Sequence, residues 1–414
     1  MNQVCDVLVI GAGAAGMMAA GTAAERGMKV CLIDKNDLPG KKIRITGKGR
    51  CNLTNNCDVR TFVDSFPRNG RFLFGAAARF SPADTMAFFE KLGLPLKTER
   101  GGRVFPQSDR ADEVADSLER FAKDGGVRFL TAKADSLLLH EGAAAGAVLK
   151  GGGRISAGNV IVCCGGVSYP VTGSTGDGYK FARQAGHTVT ELQPSLVPLV
   201  AEGEDCGDMM GLSLKNVSIR VLDQTDEKIV YEDFGEMLFT HFGLSGPIIM
   251  SASAHMRRMV PDRYRILLDL KPALSAEKLD ARLLREFEAN KNRDFGNSLK
   301  GLLPHAMIPV MVRRSGIPPN LKCNSIPREK RREFAGLLKN FEISVRSFRP
   351  IEEAIVTSGG VSVDEIDPRT MASKLVKGLY FAGEVLDVDG YTGGFNLQAA
   401  FSTGRMAGLS CGKK

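Results

Sequence analysis

The sequence predicts an α/β protein in which a parallel sheet flanked by helices, completed by an antiparallel meander, is interrupted by an inserted mixed β/α domain. Three observations predict it. A strand-turn-helix-strand unit opens the chain, a second strand running into a glycine-rich turn and a helix closes it, and residues 192–350 between them change texture.

The opening unit is CDVLVIGAGAAGMMAAGTAAERGMKVCLIDK. Residues 7–10 form the short apolar run of a buried parallel strand, residues 14–26 read as a helix, and residues 28–33 read as a second strand ending at Asp34. Each glycine has its own reason. Gly11 permits a tight turn, Gly13 lets the backbone approach a diphosphate, and Gly16 lets the helix pack on the strand. The helix opening at Ala14 and Ala15 offers unpaired N–H groups and a partial positive charge to that anion. Asp34, with Lys35 beside it, stands where an adenosine ribose is hydrogen-bonded. A purely structural glycine turn leaves Asp34 unexplained, so the unit reads as dinucleotide-binding.

The next segment, PGKKIRITGKGRCNLTNN, sets glycines among Lys41, Lys42, Arg44, Lys48 and Arg50. It reads as a loop lying along an extended ligand, with cations near phosphates and polar side chains near ring edges. Residues 111–125 read as a helix followed by short strands with glycine turns, the last over 159–164, as in the meander and returning strand of FAD domains. The turn GGVSYPVTGSTGDG then closes over the cofactor or faces a substrate cleft. Residues 192–350 carry alternating strands around a polar turn, another strand over 264–270, and three helical stretches, the middle one broken by Pro304 and Pro309. The expected domains are therefore 1–191 and 351–414, which together bind the cofactor, and an inserted substrate domain, 192–350.

The closing stretch, KGLYFAGEVLDVDGYTGGFNLQAAFSTGRMAG, repeats the opening logic. A strand over 378–382 runs into Gly383 and Glu384, and Glu384 or Asp387 can hydrogen-bond a polyol such as a flavin ribityl chain. Gly393 and Gly394 start a helix whose first residues, Phe395, Asn396 and Leu397, can turn N–H groups toward the flavin N1 and C2 carbonyl, where negative charge develops on reduction. The two ends of the chain thus hold two ends of one FAD.

Composition narrows the alternatives. With 43% hydrophobic and 25% charged residues and no low-complexity tract, a globular, soluble protein is expected. Lys and Arg number 55 against 47 Asp and Glu, but neither basic cluster is interleaved with an aromatic-rich strand, so no nucleic-acid partner is expected. The nine cysteines lack metal or disulfide-framework spacing, which points to reduced thiols in a cytoplasm and to no bound metal. The apolar N-terminal stretch reads as strand and helix rather than as an export signal, and no membrane span is expected.

GAGAAG, GKGRCNLTN, GGVSYPVTGSTGDG, THFGLSGP and the closing GEVLDVDGYTGGFNLQAAFSTGRMAG together resemble the HI0933-like family of NAD(P)/FAD-dependent oxidoreductases over nearly the whole chain. The resemblance implies a Rossmann-like FAD-binding domain with an inserted domain. It also implies FAD contacts at the turn from Gly11 to Gly16, at Asp34, Lys42, Gly49, Arg50, Cys51, Asn52 and Glu384, and at the turn from Gly393 to Leu397. Lys48 departs from the glycine expected there. Activities within the family include reduction of conjugated double bonds in 3-oxo bile-acid intermediates and oxidation of aminoacetone.

The leading functional expectation is an NAD(P)H-dependent reductase of a conjugated C=C bond in a small 3-oxo steroid-like substrate. Only one dinucleotide fingerprint is present, so the nicotinamide is a transient co-substrate. His241 and Tyr391 are the candidate proton donors; the competing reading makes them a packed histidine and a lining tyrosine. The alternatives are an amine oxidase using O2 and a non-catalytic FAD-containing partner of RNA or protein.

Overall fold

The computed structural model describes residues 2–412, which form two compact units. One runs through Ser195 and resumes at Ile351; the other is Leu196–Pro350.

The first unit is built on a sheet whose parallel part has the order Arg128–Thr131, Val30–Asp34, Asn2–Ile10, Arg154–Val162, Leu379–Phe381. Besides Asn2–Ile10, Arg154–Val162 serves two partners on its other edge. Its first residues pair antiparallel with Ala143–Leu149, which pairs in turn with Ala134–His140, and its last three pair in parallel with Leu379–Phe381. Val7, Leu8 and Val9 are fully buried, as the continuous apolar run of a two-side-covered strand requires. Ile10 and Phe381 both lie in register with Val162. The residues that follow these three strands therefore emerge side by side at the carboxyl edge of the sheet, where open α/β sheets hold their ligands.

The helix Ala14–Glu25 is almost entirely Ala, Gly and Met and is buried nearly all round. Its composition matters because the closing helix, Phe395–Ser410, comes against it backbone to backbone. A Cβ on Gly404 would lie 2.4 Å from the Ala15 carbonyl oxygen, and one on Gly408 2.5 Å from that of Ala19. The two helices, drawn from opposite ends of the chain, thereby start at the same edge of the sheet. On the other flank, Val114, Leu118 and Phe121 of Ala111–Asp124 are buried, and the Phe121 ring occupies the space left by Gly21.

The second unit contains a closed antiparallel barrel with the strand order Leu199–Ala201, Gly243–Ser245, Lys228–Thr240, Ser213–Asp223, Tyr264–Asp269, Phe341–Phe348. The polar turn read in the sequence joins its two longest strands. Helices Ala276–Ala289, Ile308–Ser315 and Arg328–Lys339 follow the barrel's own core of Ile219, Phe239, Ile266 and Phe341. Pro309 sits in the first turn of Ile308–Ser315, where a missing N–H costs no helical bond, and Pro304 precedes a separate turn, His305–Met307.

The basic segment after Asp34 is not all loop. Lys41–Ile45 is a short helix, because Ile43 is buried and Arg44 bridges to Asp112 and Asp116 at 3.0 and 2.7 Å. All nine cysteines are free. Among the described residues no helix is long and apolar enough to cross a membrane, and no His, Cys, Asp and Glu cluster could hold a metal ion.

Candidate functional site

A cleft with about 1360 Å³ of empty space, the solvent at its open mouth included, lies along the carboxyl edge of the first unit's sheet. Gly11, Gly13, Ala14 and Ala15 line one part of it, Asp34, Lys35 and Lys42 a second, and Gly383, Glu384, Asn396 and Leu397 a third.

The three glycines of the first turn are required for three different reasons. Gly11 has φ +107°, and a Cβ there would lie 2.4 Å from the Cys163 carbonyl oxygen. On Gly16 a Cβ would fall 1.8 Å from the Gly11 carbonyl oxygen, so this glycine sets helix against strand. A Cβ on Gly13 would meet nothing within 4 Å. The protein leaves that volume open beside unpaired helix N–H groups, which is the space a diphosphate needs.

Asp34 braces this turn: its carboxylate accepts from the Ala12 amide at 2.6 Å and the Asn36 amide at 2.7 Å. One partner on each oxygen leaves lone pairs for ribose hydroxyls. Lys35 is paired with Asp177 at 2.5 Å and also contacts Thr175. Burial works to raise the Asp177 carboxyl, but the hydrogen bond and charge of Lys35 outweigh it and hold the group below the usual carboxylate range.

The third part of the site is a polar knot. Lys42 donates to Ser168 Oγ at 2.7 Å and to Glu384 at 2.8 Å; the other Glu384 oxygen accepts from the Thr357 amide at 2.9 Å and Ser168 Oγ at 3.0 Å. Ser168 lies in the turn GGVSYPVTGSTGDG already read as facing the cofactor or substrate, though nothing there marks it singly, and Thr357 carries no motif at all. They are brought to Glu384 by the loop after Val162 and the short strand Val356–Ser358.

Around the second glycine turn, Gly393 and Gly394 have φ +126° and +97°. A Cβ on Gly394 would lie 2.3 Å from the Thr54 carbonyl oxygen, so its glycine is demanded by the protein's own backbone rather than by open ligand space. Phe395 is buried and tilts against Phe62. Asn396 accepts from the Gly390 amide and donates to its carbonyl, both at 2.8 Å, which folds the acidic turn onto the helix start. Asp387 is buried; its Oδ1 lies 3.5 Å from the Arg68 guanidinium without forming a hydrogen bond.

Other predicted contacts fall outside the cavity lining. Gly49 is in the left-handed region and its carbonyl accepts from the Ala111 amide at 2.8 Å. The Arg50 guanidinium is taken by Glu99 and by Asp109 at 2.7 Å and lies over the Phe105 ring. Cys51 is fully buried, which pushes its thiol up. Asn52 has a buried Oδ1 without a hydrogen-bond partner. Tyr391 is half-buried, packs against the first unit's core, and donates its backbone N–H to the Ser65 carbonyl at 3.0 Å. His241 belongs to the second unit, exposed on the turn after Lys228–Thr240.

The residues present fit an FAD. The open volume at Gly13, with the cations Lys35 and Lys42 and the carboxylates of Asp34 and Glu384 along the same lining, is what an extended polar ligand would satisfy. A parallel sheet with this turn and acidic strand end, faced by a second glycine-started helix, is a flavoprotein architecture.

Residues 5–410 match the HI0933-like protein Rossmann domain family, and the chain belongs to it; it is an FAD-dependent oxidoreductase. It is 30% identical over 413 residues, 98% of either chain, to the 3-dehydro-bile acid delta(4,6)-reductase of Clostridium scindens. It is 29% identical over 96% of either chain to the ribosomal RNA dihydrouridine synthase of Escherichia coli. Among solved structures, the 3-ketosteroid-delta4-(5alpha)-dehydrogenase of Rhodococcus jostii RHA1 superposes with a TM-score of 0.55 at 15% identity, over 100% of this chain and 97% of that one, a likeness of fold.

Proposed function

We propose that this protein reduces a carbon–carbon double bond conjugated to a carbonyl, with NAD(P)H as the hydride source and a uracil ring in RNA as the substrate. The chemistry is what the named relatives have in common. A Δ4,6 bond in a 3-dehydro bile acid is conjugated to an oxo group, and dihydrouridine arises by saturating the C5=C6 bond that is conjugated to the uracil C4 carbonyl. Both acceptors take hydride at the carbon remote from the carbonyl and a proton at the neighbouring carbon.

The observation that carries the reading is the pair of helix starts, at Gly13 and Gly394, converging on one cavity with Lys35, Lys42 and Glu384. FAD, when bound there, supplies the two-electron transfer between nicotinamide and substrate. The chain's part is to hold the diphosphate at the first helix start, to tether the polyol at Glu384 or Asp387, and to present N–H donors from the second helix start. Tyr391, beside the closing glycine turn, is the proposed proton donor; Tyr391→Phe is expected to slow turnover at unchanged flavin content.

Charge favours RNA over a free small molecule. Residues 251–350 carry 21 Lys and Arg against 10 Asp and Glu, whereas the rest of the chain carries 34 against 37. A 3-oxo steroid-like small molecule is the second reading, favoured by the Clostridium scindens relative. Incubation with deuterated NADPH and, separately, a uridine-containing rRNA fragment and a 3-oxo-4,6-diene steroid tests both. The proposal expects label on carbon in a uracil product two hydrogens heavier. Labelled steroid alone would establish the second reading, and unlabelled products from both would overturn the chemistry.

A further inference from the structure

We propose that an antiparallel helix pair in the second unit is an RNA-docking surface that holds backbone phosphates through Lys291, Arg293, Arg328 and Arg332, an inference resting on the reading of an RNA substrate. The pair is Ala276–Ala289 and Arg328–Lys339. Its direction follows from three contacts. At one end Lys339 Nζ donates to the Leu274 carbonyl at 2.8 Å, in the middle Arg331 clasps Asp280 at 2.8 and 3.2 Å, and at the other end the Asn324 amide donates to the Lys291 carbonyl at 3.2 Å.

Three of the acidic groups along this pair are already engaged, and Glu329 stands beside Arg328 in the first turn. Asp280 is taken by Arg331, Asp294 by Lys322 at 2.8 Å, and Glu333 by Lys330 at 2.7 Å. Arg328 and Arg332, one helical turn apart, flank Arg331; the hydrogen bond from Arg331 and then the charges of Arg331, Arg332 and Arg328 hold the Asp280 carboxyl below its ordinary range. Lys291 and Arg293 continue the row at the far end, beside the turn Cys323–Ser325, where the Cys323 amide donates to the Arg293 carbonyl at 3.0 Å. All four side chains are exposed, and none forms an ion pair or a side-chain hydrogen bond with another described residue.

This arrangement works against the fold on its own. Like charges one turn apart destabilise a helix, and basic residues in its first turn oppose the helix dipole. A polyanion reverses both effects, and guanidinium forks suit phosphate oxygens better than ammonium groups do. The concentration of the chain's whole positive excess within residues 251–350 is the same signal at larger scale.

The test is the salt dependence of binding to a fluorescent uridine-containing rRNA hairpin, for the flavin-loaded wild type and a variant combining Lys291→Gln, Arg293→Gln, Arg328→Gln and Arg332→Gln. Each phosphate contact contributes about 0.7 to 0.9 to the slope of log K against log salt, so the slope should fall by about 3 with roughly tenfold or greater loss at low salt. Lysine in place of glutamine at the two helix positions, Arg328→Lys and Arg332→Lys, should restore about half of the lost slope. Flavin content and flavin reduction by NADPH should be unchanged. An equal slope in the Gln variant, no salt-sensitive binding by wild type, or preference for phosphatidylglycerol vesicles over RNA would each overturn the surface. Slope-sensitive RNA binding without uracil reduction would leave the surface standing and refute the substrate reading instead.

Discussion

Replacing Gly13 by Val separates what the cofactor needs from what the fold needs. At Gly13 the backbone has φ −84° and ψ −167°, extended geometry that any residue adopts, and a Cβ meets no atom within 4 Å. A poorer residue at the helix start costs about 0.5–1 kcal/mol, and the stiffer unfolded chain returns about 0.4–1 kcal/mol. The cofactor-free variant should therefore lie within about 1 kcal/mol of cofactor-free wild type. For the diphosphate the outcome is different, because its oxygens must come within hydrogen-bonding distance of the helix N–H groups across this same space. Loss of two hydrogen bonds to a charged group, at about 1.5–3 kcal/mol each, amounts to about 3–6 kcal/mol, or about 10² to 10⁴ in affinity. Flavin titration of the apo-protein measures the second quantity and thermal unfolding of the same sample the first. Gly16→Ala is the contrast, since its Cβ falls 1.8 Å from the Gly11 carbonyl oxygen and should harm fold and flavin together. Full flavin occupancy in Gly13→Val, or a collapse like that of Gly16→Ala, would refute the reasoning.

Asp34→Ala should weaken FAD and also lower cofactor-free stability by about 1.5–3 kcal/mol, because the carboxylate braces the Ala12 and Asn36 amides; urea unfolding without flavin reads the second effect, and an unchanged midpoint would show that the brace is idle. A double-mutant cycle with Lys42→Met and Glu384→Gln should give a coupling of about 0.5–3 kcal/mol for this partly buried pair, and additive unfolding energies would deny it. Burial holds the His187 imidazole below its ordinary pKa against the opposing pull of Glu365, so the unfolded chain takes up the proton first. Stability should thus be whole above about pH 6.5 and decline as pH falls below it, and His187→Gln should flatten that limb; a wild-type profile level down to the carboxylate range would contradict the assignment. Gly394→Ala should lose stability and flavin together, because its Cβ lies 2.3 Å from the Thr54 carbonyl oxygen at φ +97°; a stable, flavin-loaded variant would show that the turn can relax.

The opening βαβ unit was legible because its signals are local: an apolar strand, three glycines at fixed spacing and an acidic strand end. The closing turn was legible as chemistry, but the reason for Gly394 was not. Its neighbour Thr54 is 340 residues away in sequence, and nothing in GGFN announces that contact. Arg50 illustrates the converse, since a basic residue beside glycines suits a phosphate equally well or, as here, two carboxylates and an aromatic face. Ser168 and Thr357 were not singled out because their partners, Lys42 and Glu384 for the one and Glu384 for the other, are joined to them by tertiary folding and not by sequence spacing. The inserted barrel could be read as strands but not as closed, because closure depends on Leu199–Ala201 pairing with both Gly243–Ser245 and Phe341–Phe348.

The central claim is a reductase acting on a double bond conjugated to a carbonyl. It is tested most directly by anaerobic stopped-flow absorbance, in which the protein is first bleached with one equivalent of NADPH and then mixed with a uridine-containing rRNA fragment. The account predicts return of the oxidised flavin spectrum at a rate that rises with RNA concentration, together with one dihydrouracil formed per flavin. Flavin that stays bleached with RNA and with a 3-oxo-4,6-diene steroid, yet returns at once with O2 and is bleached by a primary amine, would contradict it and identify an amine oxidase.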